Sequence, residues 1–449
     1  MSDDDEDFLN SLGGGGGDEG EENDTLPSDD DIASILEGAA LDDEEDLSSI
    51  LAPSGGDNGG DLSDLLDQGG IDALMQESTS SGSTILRHDR KVNSYKIALL
   101  RALNDVVLAF PDVRHAGRPI AVPLRLLAES WIAYYWPFLA PDAEILQGPT
   151  AVRDGRLRND VGFRPELRAL RAAWEAVHGP SGAAGGWLLV DQMRVPRSRE
   201  QYDAAFLATY RAALRKIQTS LRQPMQYTGE GEWTVFAKPV RASDAGPVAR
   251  VPGTRPSDVV LILDPELWNA FRDVSLWVEA LAIHEWSLFT ARAAGIRRGE
   301  AYQLLTERPD NRLPTTWERN QVRLLMEEGV TFHCPWTAKR LTPASFDIDH
   351  VVPVSVHPFH ELWNLVPSDA DFNRNGKRAR LPGPDALKRA TPRLASVYAS
   401  YGLEPDLARA LKTDVTLRFS DAPDDPAAIA HAVADLTESV ATLRNVARF

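Results

Sequence analysis

Residues 346–377 decide how the chain is read. They open with Phe346-Asp347-Ile348-Asp349-His350-Val351-Val352-Pro353, continue through Trp363-Asn364-Leu365-Val366-Pro367, and close with Phe372-Asn373-Arg374-Asn375-Gly376-Lys377. The first run alternates apolar and acidic residues, the pattern of a half-buried strand, and ends on an Asp-His pair. The second is a short apolar run suited to a second strand. Ser368 and Asp369 are good N-caps for a helix carrying Asn373 and Lys377. The order is therefore strand, loop, strand, helix. On a regular helix Asn373 and Lys377 lie four apart and share a face, whereas Asn375 points away. Asn373 is the first candidate for a functional asparagine here and Asn375 the second.

The set Asp349-His350, Asn364, and Asn373 with Lys377 resembles the HNH nucleases, whose fold is the ββα-metal (His-Me) finger. The resemblance covers about residues 330–382 and rests on order and compact spacing rather than on any single residue. It implies phosphodiester hydrolysis. An imidazole that titrates near neutrality can take a proton from the attacking water, which makes His350 the expected general base. A hard divalent cation, Mg²⁺ or Mn²⁺, needs oxygen ligands, and the resemblance carries these to Asp349 and Asn373. It also carries the bracing of the base-bearing loop to Asn364. Lys377 would meet a phosphate oxygen, with Arg374 as a further nucleic-acid contact.

The chain departs from that pattern in two places. Many family members have the lysine three residues after the asparagine, and here it is four, so the extra Gly376 is expected to distort the helix. The position where many members carry Cys-x-x-Cys reads Cys334-Pro335-Trp336-Thr337, and Cys334 is the chain's one cysteine. Four thiolates cannot be assembled from it, so no structural zinc is expected, and Cys334 and Trp336 are read as core. Asp347 shares a strand face with Asp349 and is assigned a structural hydrogen bond rather than a second metal. His357 and His360 are read as loop histidines and His333 as a strand-edge residue.

Outward from this unit, helical periodicity recurs over Tyr95–Phe110, Ile120–Trp136, Phe163–His178 and Glu200–Leu221. Pro265 to about Ala294 reads as one long helix, with His284 in its core. Trp187–Val190, Trp233–Phe236 and Val259–Leu263 read as strands. The Trp131/Tyr134/Tyr135/Trp136 cluster is expected to pack in the core. Beyond residue 383, Ala386–Tyr401 and Ala427–Val446 read as two helices. Residues 194–255 hold 11 basic against 5 acidic residues. Arg211, Arg215 and Arg222 fall on one helix face there and are candidate contacts to a nucleic-acid backbone.

The remaining end of the chain differs in kind. Residues 1–86 contain 25 Asp/Glu and no Lys or Arg, and the other residues hold 47 basic and 42 acidic side chains. The N-terminal segment is thus an acidic tail on a mildly basic body, and composition predicts that it is disordered. Inside it Asp31-Ile32-Ala33-Ser34-Ile35-Leu36 recurs as Asp46-Leu47-Ser48-Ser49-Ile50-Leu51 and Asp61-Leu62-Ser63-Asp64-Leu65-Leu66. Such repeats suit short helical turns that dock on a protein partner, with Ile32, Leu36, Leu47, Leu51, Leu62 and Leu66 as the anchors. A solubilising tail or an electrostatic competitor for nucleic acid are the other readings.

No apolar run is long enough for a membrane span, and the acidic start lacks the regions of a signal peptide, so a cytoplasmic protein without membrane insertion is expected. The fold class is mainly α with a small α+β finger and a disordered acidic tail. The divisions are 1–86, a helical accessory module at 87–328, the finger at 329–382 and C-terminal helices at 383–449. The expected function is a metal-dependent endonuclease that nicks DNA, and resemblance to HNH proteins with large accessory modules points to bacterial defence against phage or plasmid DNA. The alternatives are an assembly protein that binds nucleic acid with catalysis dormant, and a nuclease directed at RNA.

Overall fold

A computed structural model describes residues 94–449 apart from 114, 140–150, 154–155, 159, 229–230, 295, 308–314, 358–359 and 420–422. The acidic segment, its repeats and the six anchor residues assigned to a partner lie outside them.

Helix α1 (Ser94–Ala109) is buried on nearly every side. It is followed by strand β1 (Ile120–Pro123) and helix α2 (Leu124–Tyr135). The sequence pattern places a helix from Ile120, but those first four residues pair as a strand. Pro123 is the cause, because the residue before a proline is pushed towards extended backbone. Trp131, Tyr134, Tyr135 and Trp136 are all core, and Tyr95, Trp131, Tyr135 and Phe163 pack ring against ring at 5.0–6.4 Å.

Next come α3 (Arg164–His178), α4 (Gly185–Arg194) and α5 (Ala204–Gln226), the last capped by the Asp203 carboxylate, which accepts from the Phe206 N–H at 2.7 Å. Trp187–Val190 has strand propensity yet lies inside α4. Packing overrides propensity here: a Cβ on Gly186 would stand 2.7 Å from Trp136 Cβ and 2.9 Å from Ala133 Cα. Only glycine lets α4 press this closely on α2.

Strands β2 (Val240–Arg241), β3 (Ala249–Arg250) and β4 (Val259–Leu263) join β1 in a small mixed sheet of order β2-β4-β1-β3. Trp233–Phe236, read as a strand, joins no ladder, and Trp233 takes a left-handed φ of 56° that ends regular pairing. The expected single helix from Pro265 is two, α6 (Pro265–Asp273) and α7 (Ser275–Ala294), broken at Val274 with φ −115° and ψ 22°. The break is hidden in the sequence because apolar residues continue across it. Helix α8 (Arg298–Thr306) packs along α7. Among the described residues no helix is long and apolar enough to cross a membrane.

Helix α9 (Thr316–Glu327) leads into a tight turn at 332–341 and then to β5 (Phe346–His350) and β6 (Leu365–Asp369). The two strands are antiparallel, with Asp349 opposite Val366 and His350 opposite Leu365. A π turn at Phe372–Lys377 follows, then α10 (Pro384–Tyr401), α11 (Pro405–Arg418) and α12 (Pro426–Leu443). Two helices were expected after residue 383 and three form. The buried face of α11 includes Asp414 and Arg418, so its apolar stripe is interrupted in the sequence. One core joins α9, the turn, β5, β6 and α10–α12 through Val322, Phe332, Cys334, Trp363, Tyr398 and Val433. The architecture is mainly helical with small sheets.

Candidate active site

The ends of β5 and β6 bring Asp349, His350 and Asn364 together. Asn364 is fully buried. Its Oδ1 accepts from the Val352 N–H at 2.7 Å and its Nδ2 donates to the Val352 carbonyl at 3.0 Å. Its own carbonyl accepts from the Val351 N–H at 2.8 Å. One side chain therefore satisfies both backbone groups of a residue two places after His350, and the chain leaving β5 is fixed at that point.

Asp349 is buried, and both carboxylate oxygens have donors: Trp336 Nε1 to Oδ2 at 2.9 Å and Lys377 Nζ to Oδ1 at 3.1 Å. Lys377 also donates to the His350 carbonyl at 2.6 Å. Burial raises the Asp349 carboxyl above its ordinary range, against the ammonium and the indole, which lower it. Lys377 is thus 1 % exposed and turned inward, where the sequence reading had placed it on a phosphate. The π turn explains its position. The Arg378 N–H donates to the Asn373 carbonyl at 3.0 Å, a five-residue step that accommodates one residue more than an α turn.

Asn373 is half-buried on this turn, and its side chain makes no hydrogen bond among the described residues. Asn375 is exposed and its amide lies 3.5 Å from Asp371 Oδ1. Arg374 pairs with Asp347, which also receives Arg319; Asp347 is therefore in an ion-pair cluster on the outer side of β5. Arg211, Arg215 and Arg222 lie on α5, whose main packing partners are α1, α2 and α3. The structure does not gather them around His350.

The histidines hold a surprise. His360 was read as a surface loop residue, yet it is 7 % exposed and its ring stands perpendicular to that of His350 with centroids 4.9 Å apart. The Nε2 atoms of both rings are buried and find no partner among the described residues. Burial lowers the His350 imidazole well below its ordinary value, with His360, Lys377 and His357 adding to the effect. His360 is pushed down to about 4 by burial, then Arg197 and His357. His357, also buried, bonds Glu361 at 2.8 Å. His333 pairs with Arg340 at the edge of the 332–341 turn, and Cys334 is fully buried in the core.

Sequence reasoning missed the residues that hold this loop from behind. The Asp191 carboxylate on α4 accepts from the His360 N–H at 2.9 Å. Arg197 donates to the His360 carbonyl at 2.8 Å, to Asp414 Oδ2 at 2.6 Å and to Glu318 Oε1 at 3.1 Å. Asp414 also accepts from the Leu362 N–H at 2.7 Å. Burial raises Asp191 to about 7 and Asp414 to about 6. Neither α4 nor α11 is read as a helix from the sequence, so no buried helix face marked Asp191 or Asp414, although a buried carboxylate must be paired. Their partners lie too far along the chain to be named from sequence.

A family model described as Domain of unknown function (DUF8808) matches residues 77–305. No curated protein and no solved structure matches the chain. The match takes in Asp191 and Arg197 and ends before Glu318, His350 and Asp414.

Proposed function

This chain belongs to the DUF8808 family, and we propose that the part following the family domain makes it a divalent-metal-dependent HNH endonuclease. The observation that supports this reading is the strand pair ending in Asp349-His350 opposite Leu365, with Asn364 bound to Val352 and the Asn373–Lys377 turn against Asp349. His350 is the general base, its imidazole kept neutral by its surroundings. Asn364 positions the base-bearing loop.

Asp349 and Asn373 would hold the cation, and they suit a hard metal because both offer oxygen. Asn373 makes no side-chain hydrogen bond among the described residues, and a carboxylate has about four acceptor positions, of which Asp349 uses two. The cation when bound stabilises charge developing on the phosphate and the departing oxygen. Lys377, bound to Asp349 and to the His350 carbonyl, holds the carboxylate beside the base. DNA is the proposed substrate, and defence against foreign DNA is the setting that the HNH resemblance supports.

The test is a supercoiled-plasmid time course in Mg²⁺, Mn²⁺ or EDTA with the intact chain and His350→Ala. Nicked circles that need metal and vanish in the variant are expected. Cleavage that persists in His350→Ala would overturn the assignment. A second reading, a finger that grips nucleic acid without cutting it, is favoured by the buried Nε2 of His350 and the doubly occupied Asp349. It predicts binding to DNA or RNA with no strand cut in any metal.

A further inference from the structure

Several imidazoles of the chain find partners. His115 Nε2 lies 3.2 Å from Asn269 Oδ1, His178 Nε2 2.9 Å from the Tyr202 hydroxyl, and His357 Nε2 2.8 Å from Glu361 Oε2. His284, expected in the core, is exposed on α7, where Arg298 Nη2 lies 3.0 Å from its Nδ1. Among the described residues, the histidine nitrogens left buried without a partner are Nε2 of His350 and Nε2 of His360. A buried polar atom is almost always hydrogen-bonded, and these two rings already touch, perpendicular, with centroids 4.9 Å apart. Their neighbours are engaged elsewhere, His357 with Glu361, and Lys377 with Asp349 and the His350 carbonyl.

We infer that the two imidazoles are joined by an N–H···N bond in which His350 Nε2 donates to His360 Nε2, making His360 the positioning residue for the base. The direction of the bond follows from access. His350 Nδ1 makes no hydrogen bond among the described residues and is not one of the buried atoms, so it is the nitrogen that water can reach. A neutral imidazole accepts a proton at the nitrogen that lacks one, so a working base here carries its proton on Nε2. A hydrogen bond at the far nitrogen fixes both tautomer and ring orientation. His360 is itself clamped on both sides of its backbone, its N–H by Asp191 at 2.9 Å and its carbonyl by Arg197 at 2.8 Å. Both clamping residues lie in the matched family domain. That domain, which contributes no residue to the strand pair, thus sets the ring that orients the base.

The catalytic meaning of this bond rests on the nuclease reading; its existence does not. Long-range proton–nitrogen NMR spectra of the full chain labelled with ¹⁵N-histidine, at neutral pH, report which ring nitrogen carries the proton, and His350→Gln identifies the His350 signals. The native chain should show one tautomer of His350, with Nε2 protonated and Nδ1 bare. His360→Phe keeps the ring packing and removes the acceptor, so it should give a mixture of tautomers. His360→Gln, whose Oε1 can accept, should restore the native pattern. In the plasmid assay His360→Phe should lower kcat roughly tenfold or more with KM unchanged, and His360→Gln should recover most of that loss. A proton on Nδ1 in the native chain, or a pattern indifferent to His360→Phe, overturns the bond. A loss of kcat that His360→Gln does not recover overturns the positioning role. The expected tautomer in a chain that cuts nothing in any metal supports the bond and overturns the nuclease reading alone.

Discussion

Burial, His360, Lys377 and His357 all push the His350 imidazole towards its uncharged form. A base must be unprotonated to act, so a lowered value keeps it available as the medium turns acid. The acid limb of the rate profile should therefore lie below pH 6.5, and Lys377→Met, which removes one of these influences, should move it upward. A limb at or above pH 6.5 in the native chain would count against His350 as the base. His360 makes a separate statement about stability. Its folded value of about 4 lies below that of the unfolded chain near 6.5, so its contribution is complete above pH 6.5 and is lost as pH falls towards 4. Denaturant unfolding should lose about 2 kcal/mol from this residue between pH 7 and pH 5, a loss that His360→Phe should remove. Asn364→Ala should cost about 2–4 kcal/mol, because it leaves the Val352 N–H and carbonyl buried without partners. The positions of Asp349, His350 and Asn364 were legible in the sequence. The burial of His360 was not, since a loop histidine has no periodic signal.

The π turn shows what can be read at the level of an element. The extra residue between Asn373 and Lys377 was visible as a spacing, and Gly376 as a point of distortion. The backbone adopted could be settled only by the packing around it. Gly376 lies against Phe372, whose ring meets that of Phe449 at 5.4 Å. A Cβ on Gly376 would come within 2.5 Å of Phe372 Cδ2. Gly376→Ala should therefore displace the ring and lower stability by about 1–3 kcal/mol, read as a fall in thermal midpoint. Elsewhere the long amphipathic helices were legible because their apolar faces repeat. The strand at β1 and the helix at α4 were misread for local reasons, a proline at one and a helix contact requiring glycine at the other.

Across the whole molecule, the decisive contacts are those between segments remote in sequence. Arg197 and Asp414 are 217 residues apart, and Arg197 with His360 is 163. No periodicity carries such pairs. Removing the arginine leaves Asp414 and Glu318 buried and uncompensated, so Arg197→Met should cost about 3–5 kcal/mol and should loosen the His360 loop. Amide hydrogen exchange at His360 and Leu362 would rise selectively in that variant. Uniform exchange across all segments would show general unfolding instead. Because the family domain supplies Arg197 and the segment beyond it supplies both carboxylates, the two halves have a shared inheritance to defend. A recombination that gave this domain a different C-terminal partner would strand a cation on one side and two anions on the other. Relatives with another partner should have replaced Arg197, and chimaeras that exchange the halves between divergent members should be recovered only when position 197 travels with its two acids.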